Sequence, residues 1–284
     1  MDTTIKRGAA AQPPRLIVYG TEGIGKTTLG ASFPAPIFVQ TEDGLGRLDA
    51  DTFGLCQSWQ DVKDCLAAVL AEPQGAHRTL VVDSLDWLEK LIWRDTCEQG
   101  GKQNIEDFGF AKGYIYALTR WDEFLTRLDE IRAAKRMAIL LLAHHTVASV
   151  KNPNGEDYNA FAPRLHNKAA GVVCQWADAI GFAHLRMHID TAKKKAIGLG
   201  EDANGDRVAT WIGSPGLTAK NRFGMPQELP LSFEALAPFI APARAAKLAQ
   251  AAAERIAETT TKADAATPVE IPAPVNNTST NNAN

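Results

Sequence analysis

The feature that most constrains the fold is a glycine-rich loop directly behind a short apolar run. The run is Leu16-Ile17-Val18-Tyr19, and the loop reads Gly20-Thr21-Glu22-Gly23-Ile24-Gly25-Lys26-Thr27. Glycines, a lysine and a hydroxyl at these offsets form a phosphate-binding loop, whose backbone N–H groups point at phosphate oxygens. This chemistry requires a strand before the loop and a helix after it, because the start of the helix favours negative charge. The motif therefore predicts an α/β domain that binds a nucleoside triphosphate.

The loop residues divide into phosphate and metal contacts. Lys26 is predicted to reach the β- and γ-phosphates, and the Thr27 hydroxyl to bind Mg²⁺. The predicted nucleotide-binding residues are Gly20, Thr21, Glu22, Gly23, Ile24, Gly25, Lys26, Thr27 and Thr28. The alternative interpretation is a glycine turn that only caps a helix.

Composition places the chain among ordinary globular proteins. Of its 284 residues 45% are hydrophobic and 22% charged, and no apolar run approaches the about 18 residues that a membrane span needs. The net charge of −3 argues against a protein that coats nucleic acid by bulk electrostatics, but leaves room for a local basic site. The start lacks a signal-peptide core and the four cysteines lack metal-ligand spacing. We expect a cytoplasmic protein without a membrane partner, in the bacterial host cytoplasm if it is phage-encoded.

Apolar runs and helical patterns alternate along the chain. Strands are predicted at 15–19, 36–41, 79–83, 138–143 and 178–185, and helices at 26–32, 59–71, 85–97 and 110–135. The alternation predicts an α/β fold with a mostly parallel, doubly wound sheet and a ligand site at the carboxyl ends of its strands. Residues 193–198 and 207–212 flank Asn204-Gly205, which predicts a C-terminal antiparallel hairpin extension.

Composition also divides the chain into parts. Residues 1–13 are predicted to be a flexible N-terminus and 14–240 the α/β core. An alanine-rich helix is predicted at 241–257, and a disordered tail at 258–284, where there are too few apolar residues to fold. Every motif with a predicted role in chemistry lies in the core.

Two carboxylates follow predicted strands at the edge of the phosphate loop. Asp83 ends a buried run and is predicted to act on the Mg²⁺ bound by Thr27; the alternative is an N-cap of the next helix. Glu42 follows the second strand and is the candidate general base that orients water against the γ-phosphate. Asp86 and Glu22 are its competitors for that role.

The fourth strand ends in two histidines. His144 is the candidate for a side chain that contacts the γ-phosphate and reports its presence to the following loop. His145 is a weaker candidate, and the alternative makes one histidine a core residue and the other a surface residue. Metal binding by this pair is not expected, because no further cysteine or histidine is suitably spaced.

Two further segments carry basic residues. Residues 146–168 are predicted to be a long polar loop that binds single-stranded DNA or forms a mobile flap, because bases stack on aromatic rings and cations follow phosphates. The candidate DNA-binding residues are Lys151, Tyr158, Phe161, Arg164 and Lys168. Lys220 and Arg222 alternate on an extended segment and are candidates for neutralising transition-state charge; on spacing alone, a solvated strand end is favoured.

Taken together, the chain resembles the RecA-like P-loop ATPases over about residues 14–233. More narrowly it is similar to a phage nucleotide-binding family, of AAA type, that includes single-strand annealing proteins. The resemblance rests on these segments: Gly20–Thr28, Val39–Glu42, Val81–Ser84, the histidine-terminated strand, Phe108–Tyr114 and Ala219–Pro226.

The resemblance implies ATP as the nucleotide and Mg²⁺ as the metal. It implies that Glu42 is the catalytic glutamate, that Asp83 binds Mg²⁺, and that the 146–168 segment is a DNA-binding loop. It also implies that Lys220 and Arg222 act across an interface between subunits of a ring or filament. His144 departs from the pattern, since RecA proteins have an amide there.

These points predict an ATP-dependent protein that binds single-stranded DNA and promotes annealing or strand exchange in phage recombination. A phage or host single-strand-binding protein is a further possible partner. The alternatives are a nucleotide-gated switch that does not bind DNA and a hexameric helicase or motor.

Overall fold

The fold was obtained as a computed structural model, which describes residues 12–153, 155–190, 195–198 and 205–240. The predicted flexible start (except its last two residues), the alanine-rich helix and the tail therefore lie outside the described residues. Within the described part, no helix combines the length and apolarity needed to cross a membrane.

Twelve strands and six α-helices are described. The strands are β1 Arg15–Gly20, β2 Pro36–Gln40, β3 Asp51–Leu55, β4 Thr79–Asp83, β5 Ala138–Val150, β6 Tyr158–Pro163, β7 Ala179–Leu185, β8 Met187–Asp190, β9 Lys195–Gly198, β10 Arg207–Thr210, β11 Lys220–Asn221 and β12 Glu228–Pro230. The helices are α1 Lys26–Ser32, α2 Trp59–Ala71, α3 Leu85–Gln99, α4 Lys112–Lys135, α5 Asn167–Trp176 and α6 Phe233–Ile240, with a short 3₁₀ helix at Ile105–Phe108.

The main sheet has the strand order β3, β2, β4, β5, β1, β7, β10, β12. All pairs from β3 to β7 are parallel, and β10 and β12 continue the sheet in antiparallel pairs. The strand that precedes the phosphate loop and the strand that ends in Asp83 are separated by β5. The predicted α/β class with a mostly parallel sheet is confirmed.

Both faces of this sheet are buried, as the continuous apolar runs predict. Ile17 and Tyr19 of β1 face one core, which α2, α3, α4 and α5 cover, whereas Leu16 and Val18 face the other, which α1 and α6 cover. The sheet is thus enclosed by two helical layers, and its carboxyl edge is left to form a site.

Three helix predictions are accurate because their signals are local. Helices α1 and α2 have the predicted bounds, and the Ser58 hydroxyl accepts a hydrogen bond from the backbone of Asp61 in a capping box. Helix α3 begins at the predicted residue and runs two residues further. Helix α4 begins at Lys112 rather than at 110, because Phe110 and Ala111 have positive φ angles of 49° and 54°.

Two predictions of local structure are wrong. Residues 195–198 and 207–210 do not pair with each other: β9 pairs with β8, and β10 joins the main sheet between β7 and β12. Positions 193, 194 and 204 of that prediction lie outside the described residues. Residues 146–168 are not one long loop, because β5 continues to Val150 and turns back through β6 to form an antiparallel hairpin. The sheet does have an antiparallel extension, but it is formed by β10 with β7 and β12, which are distant from one another in sequence.

Candidate nucleotide site

The phosphate loop follows β1, which ends between two parallel neighbours that continue past it. Gly20, the last residue of β1, is level with His144 of β5 on one side and Ala183 of β7 on the other. A Cβ on Gly20 would lie 2.2 Å from the carbonyl oxygen of Ala183, so a side chain cannot fit there. Gly23 and Gly25 have φ angles of 74° and 103°, which glycine adopts readily. The predicted strand, loop and helix are confirmed.

Lys26 is buried at the start of α1 and points back over the loop. Its Nζ donates hydrogen bonds to the carbonyl oxygens of Gly20 at 3.2 Å and Thr21 at 2.8 Å. Burial lowers the pKa of Lys26, and the nearby carboxylates, Asp83 first among them, oppose that effect. The ammonium is therefore held where phosphate oxygens can replace the two carbonyls.

The remaining loop residues contribute in different ways. Glu22 and Thr28 are exposed, and both line the cavity beside the loop. Ile24 is 4% exposed and packs in the core, so only its backbone is available to a ligand.

The predicted metal residues lie in contact. The Thr27 hydroxyl donates to Asp83 Oδ2 at 2.7 Å. Burial raises the pKa of Asp83, and the hydrogen bond from Thr27 opposes this. Among the described residues no cluster of three or more His, Cys, Asp or Glu could hold a metal alone. A hydroxyl and one carboxylate fit Mg²⁺, which takes its other ligands from phosphates and water.

A second group of polar side chains lies beside this pair. Ser84 Oγ donates to Glu42 Oε2 at 2.9 Å, and His144 Nδ1 lies 3.8 Å from the same oxygen. Asp86 receives the backbone N–H of His144 at 3.0 Å, and its other oxygen lies 3.0 Å from Nδ1 of that ring. Burial raises the pKa of Asp86, but its hydrogen bonds with His144 outweigh this and the pKa is lowered overall. Asp86 is thus occupied in holding His144, whereas Glu42 remains available to the cavity.

Glu42, Asp83 and His144 line one cavity of about 420 Å³ together with the loop. Asp83 ends β4, Glu42 lies two residues beyond the end of β2, and His144 lies within β5, level with the end of β1. Arg207 of β10 also lines the cavity, and the sequence prediction missed it. No local motif marks this arginine, because only the pairing of β10 with β7 brings it to the loop.

The β5–β6 hairpin separates the predicted DNA-binding residues. Tyr158 pairs with Val150 and Phe161 with Val147, so the two aromatic side chains lie on opposite faces of the hairpin. Phe161 is 40% exposed and stacks on Phe182, with ring centroids 4.8 Å apart. Val147, on the same face as Phe161, is 56% exposed.

The three cations of that predicted set also lie apart. Lys151 pairs with Asp157 near the hairpin tip, and Lys168 is exposed in the first turn of α5. Arg164 follows β6 and contacts Glu22 of the phosphate loop at 3.2 Å. The five residues therefore do not form a single patch, and Arg164 links the hairpin base to the nucleotide site.

A buried carboxylate also fixes the segment that follows the β5–β6 hairpin. Glu89 of α3 accepts hydrogen bonds from the backbone N–H of His166 at 3.0 and 3.1 Å, at the start of α5. Burial raises the pKa of Glu89 to about 7; the hydrogen bond from His166 opposes this, and the charge of Asp86 adds to it. Asp86 and Glu89, three residues apart on α3, thus tie this helix to His144 and to α5.

Lys220 and Arg222 lie away from the phosphate loop of their own chain. Strand β11 pairs with the start of β7, whereas the loop lies beside its end. Lys220 Nζ donates to the last carbonyls of α5: those of Cys174, Gln175 and Ala177. Arg222 contacts Asp178 at 3.3 Å. Both side chains have structural contacts here, and their action in a neighbouring subunit stays a prediction.

Comparison with known proteins agrees with this geometry. A segment of the chain is 27% identical over 113 residues to the SPbeta prophage-derived uncharacterized protein YorG of Bacillus subtilis. That match covers 38% of this chain and 35% of the relative, so the chain spans about a third of the relative's length. A family profile described as an AAA domain matches residues 12–223, which include the loop, Glu42, Asp83 and His144. The chain belongs to this AAA domain family and carries an AAA-type, nucleotide-binding ATPase domain.

Proposed function

We propose that the protein hydrolyses ATP with Mg²⁺ and couples this to single-stranded DNA bound at the β5–β6 hairpin. The observation that supports the hydrolysis is the convergence of Lys26, Thr27, Asp83 and Glu42 on one cavity. The predicted setting is annealing or strand exchange in phage recombination. The partial match to a prophage-derived protein supports a phage setting.

Each side chain has one task in this reaction. The Lys26 ammonium exchanges the two loop carbonyls for phosphate oxygens and neutralises their charge. Glu42, held by Ser84, orients the attacking water and accepts its proton. Thr27 and Asp83 hold Mg²⁺, which supplies further positive charge to the phosphate oxygens when bound. His144, fixed by Asp86, lies beside Glu42 and contacts the γ-phosphate.

The nucleotide part is tested by measuring ATP turnover and nucleotide affinity of matched variants. Lys26→Ala is expected to abolish turnover, while Lys102→Ala, an exposed lysine outside the site, retains it. Glu42→Gln is expected to bind ATP with unchanged affinity and lower turnover at least about a hundredfold. Asp43→Asn is its control, because it removes the same charge from the neighbouring exposed position. Wild-type turnover by Lys26→Ala refutes the assignment, and loss of binding by Glu42→Gln refutes the base role.

The DNA part rests on one face of the hairpin. Phe161 and Val147 present an exposed apolar surface beside His145, whose ring lies 5.8 Å from that of Phe161. An aromatic ring on such a surface can stack on an unpaired base. Arg164 connects the hairpin base to Glu22, so a ligand on the hairpin has a direct route to the phosphate loop.

This part is tested by titrating a labelled oligonucleotide and by measuring turnover with and without single-stranded DNA. Phe161→Leu retains apolar packing but removes the aromatic stack, and is expected to weaken DNA binding about tenfold. Tyr158→Leu, on the opposite face of the same hairpin, is the matched control and is expected to change it little. Equal effects of the two variants contradict the proposed face.

The pairing of cations favours a second candidate function, a nucleotide-gated switch that does not bind DNA. Lys151 and Arg164 are both paired with carboxylates, which reduces the charge available to a polyanion. In that case the hairpin transmits the state of the loop to a protein partner. Turnover that is unchanged by single-stranded DNA, together with no binding of the labelled oligonucleotide, supports the switch.

A further inference from the structure

Arg207 is placed at the nucleotide cavity by the antiparallel part of the sheet. It is the first residue of β10 and pairs with Leu185 at the end of β7, so it lies at the same edge as the phosphate loop. Its Nη1 is 3.4 Å from the position that a Cβ on Gly25 would occupy. A guanidinium group therefore lies beside the open side of Gly25 and lines the same cavity as Lys26.

The surroundings of Arg207 leave its guanidinium available. Within the part of the chain that the structure describes, its side chain makes no hydrogen bond or ion pair. Arg186, at the end of β7, is by contrast fully engaged: it donates to Glu228 at 2.7 Å and pairs with Asp206 at 3.2 Å. A cation that lines a phosphate-binding cavity and has no ion-pair partner among the described residues is suited to an anionic ligand.

The strand order places Arg207 on one side of the phosphate loop. Asp83 lies two strands from β1 in one direction, at the end of β4, and Arg207 lies two strands away in the other direction, on β10. Glu42 and His144 lie on the Asp83 side, where the proposed hydrolysis takes place. Arg207 thus approaches the loop from the side opposite the reacting groups.

We propose that Arg207 is a second phosphate-binding residue that holds the polyphosphate chain together with Lys26. Because Arg207 lies away from Asp83 and Glu42, we expect it to bind ATP and ADP alike. It then contributes to nucleotide affinity rather than to the chemical step. This inference rests on the proposed nucleotide function and adds a residue to it.

The test compares Arg207→Ala, Arg207→Lys and a control, Arg127→Ala, which removes an exposed arginine paired with Glu130 on α4. Affinities for ATP, ADP and inorganic tripolyphosphate are measured by competition against a fluorescent nucleotide, and turnover is measured at saturating ATP. Arg207→Ala is expected to raise Kd about tenfold for all three ligands, as for an exposed charge-assisted contact. Arg207→Lys is expected to fall between it and wild type, and maximal turnover to change less than about twofold.

Three outcomes overturn the inference. Unchanged Kd values show that Arg207 is only a solvated strand end. Weaker ATP and ADP binding with unchanged tripolyphosphate binding shows a contact with base or ribose instead. Lower maximal turnover with unchanged Kd shows a transition-state role. All three leave the proposed ATP hydrolysis intact, which is refuted instead by wild-type turnover of Lys26→Ala.

Discussion

Glu89 makes the stability of this protein depend on pH in a way that one substitution can isolate. The side chain is 5% exposed and accepts backbone hydrogen bonds from His166. Burial raises its pKa from 4.5 to about 7, so the folded protein prefers the protonated form. Glu89→Gln keeps an oxygen that can accept the same N–H, and removes the titration.

The direction in which stability changes with pH follows from proton binding to Glu89 in the folded and unfolded states. Between pH 4.5 and about 7 the folded state binds the Glu89 proton more strongly than the unfolded state does. The stabilisation is therefore fully present below pH 4.5 and is lost as pH rises through about 7. The difference between the two pKa values corresponds to about 3 kcal/mol of unfolding free energy, most of which lies between about pH 5 and pH 8.

The assay is urea unfolding of wild type and Glu89→Gln at pH 5 and pH 8, with Glu98→Gln, an exposed carboxylate on the same helix, as control. Wild type is expected to lose about 2 to 3 kcal/mol more between these pH values than Glu89→Gln does. The control is expected to follow wild type. If wild type and Glu89→Gln show the same pH dependence, Glu89 is ionised in the folded protein at pH 5 and the reasoning fails.

Three further substitutions test contacts of the sheet and the site. Gly181→Ala places a Cβ 2.8 Å from the buried indole of Trp211, so urea unfolding is expected to show a loss of about 1 to 3 kcal/mol. Lys220→Met removes three hydrogen bonds to the end of α5 and is expected to cost about 1 to 2 kcal/mol in the same assay; lost turnover at full stability would instead indicate that Lys220 neutralises transition-state charge. Asp86→Asn removes the negative charge beside His144 Nδ1 and is expected to lower maximal ATP turnover about tenfold or more with little change in ATP affinity, whereas an unchanged rate would contradict its positioning role.

The parts predicted well from sequence depend on local patterns or on the geometry of parallel sheets. Glu42, Asp83 and His144 were predicted together because the carboxyl ends of parallel strands meet at one edge. Arg207 was missed because an antiparallel strand, distant in sequence, brings it to that edge.

The errors have related causes. The 146–168 segment has turn-forming residues near its middle, and its polar composition conceals the alternation of β6. The contacts of Lys220 with the end of α5 were not predicted, because they depend on where that helix ends.

The length of β5 has a mechanical consequence. Its 13 residues run without interruption from the buried centre of the sheet, past His144, into the hairpin. The part beyond His145 has five residues and projects about 16 Å at the usual rise of a strand. Core and hairpin therefore share one continuous strand, so that a force on the hairpin tip exerts torque on the part of β5 that carries His144. Pulling on the tip with an optical trap would thus probe the nucleotide site from outside.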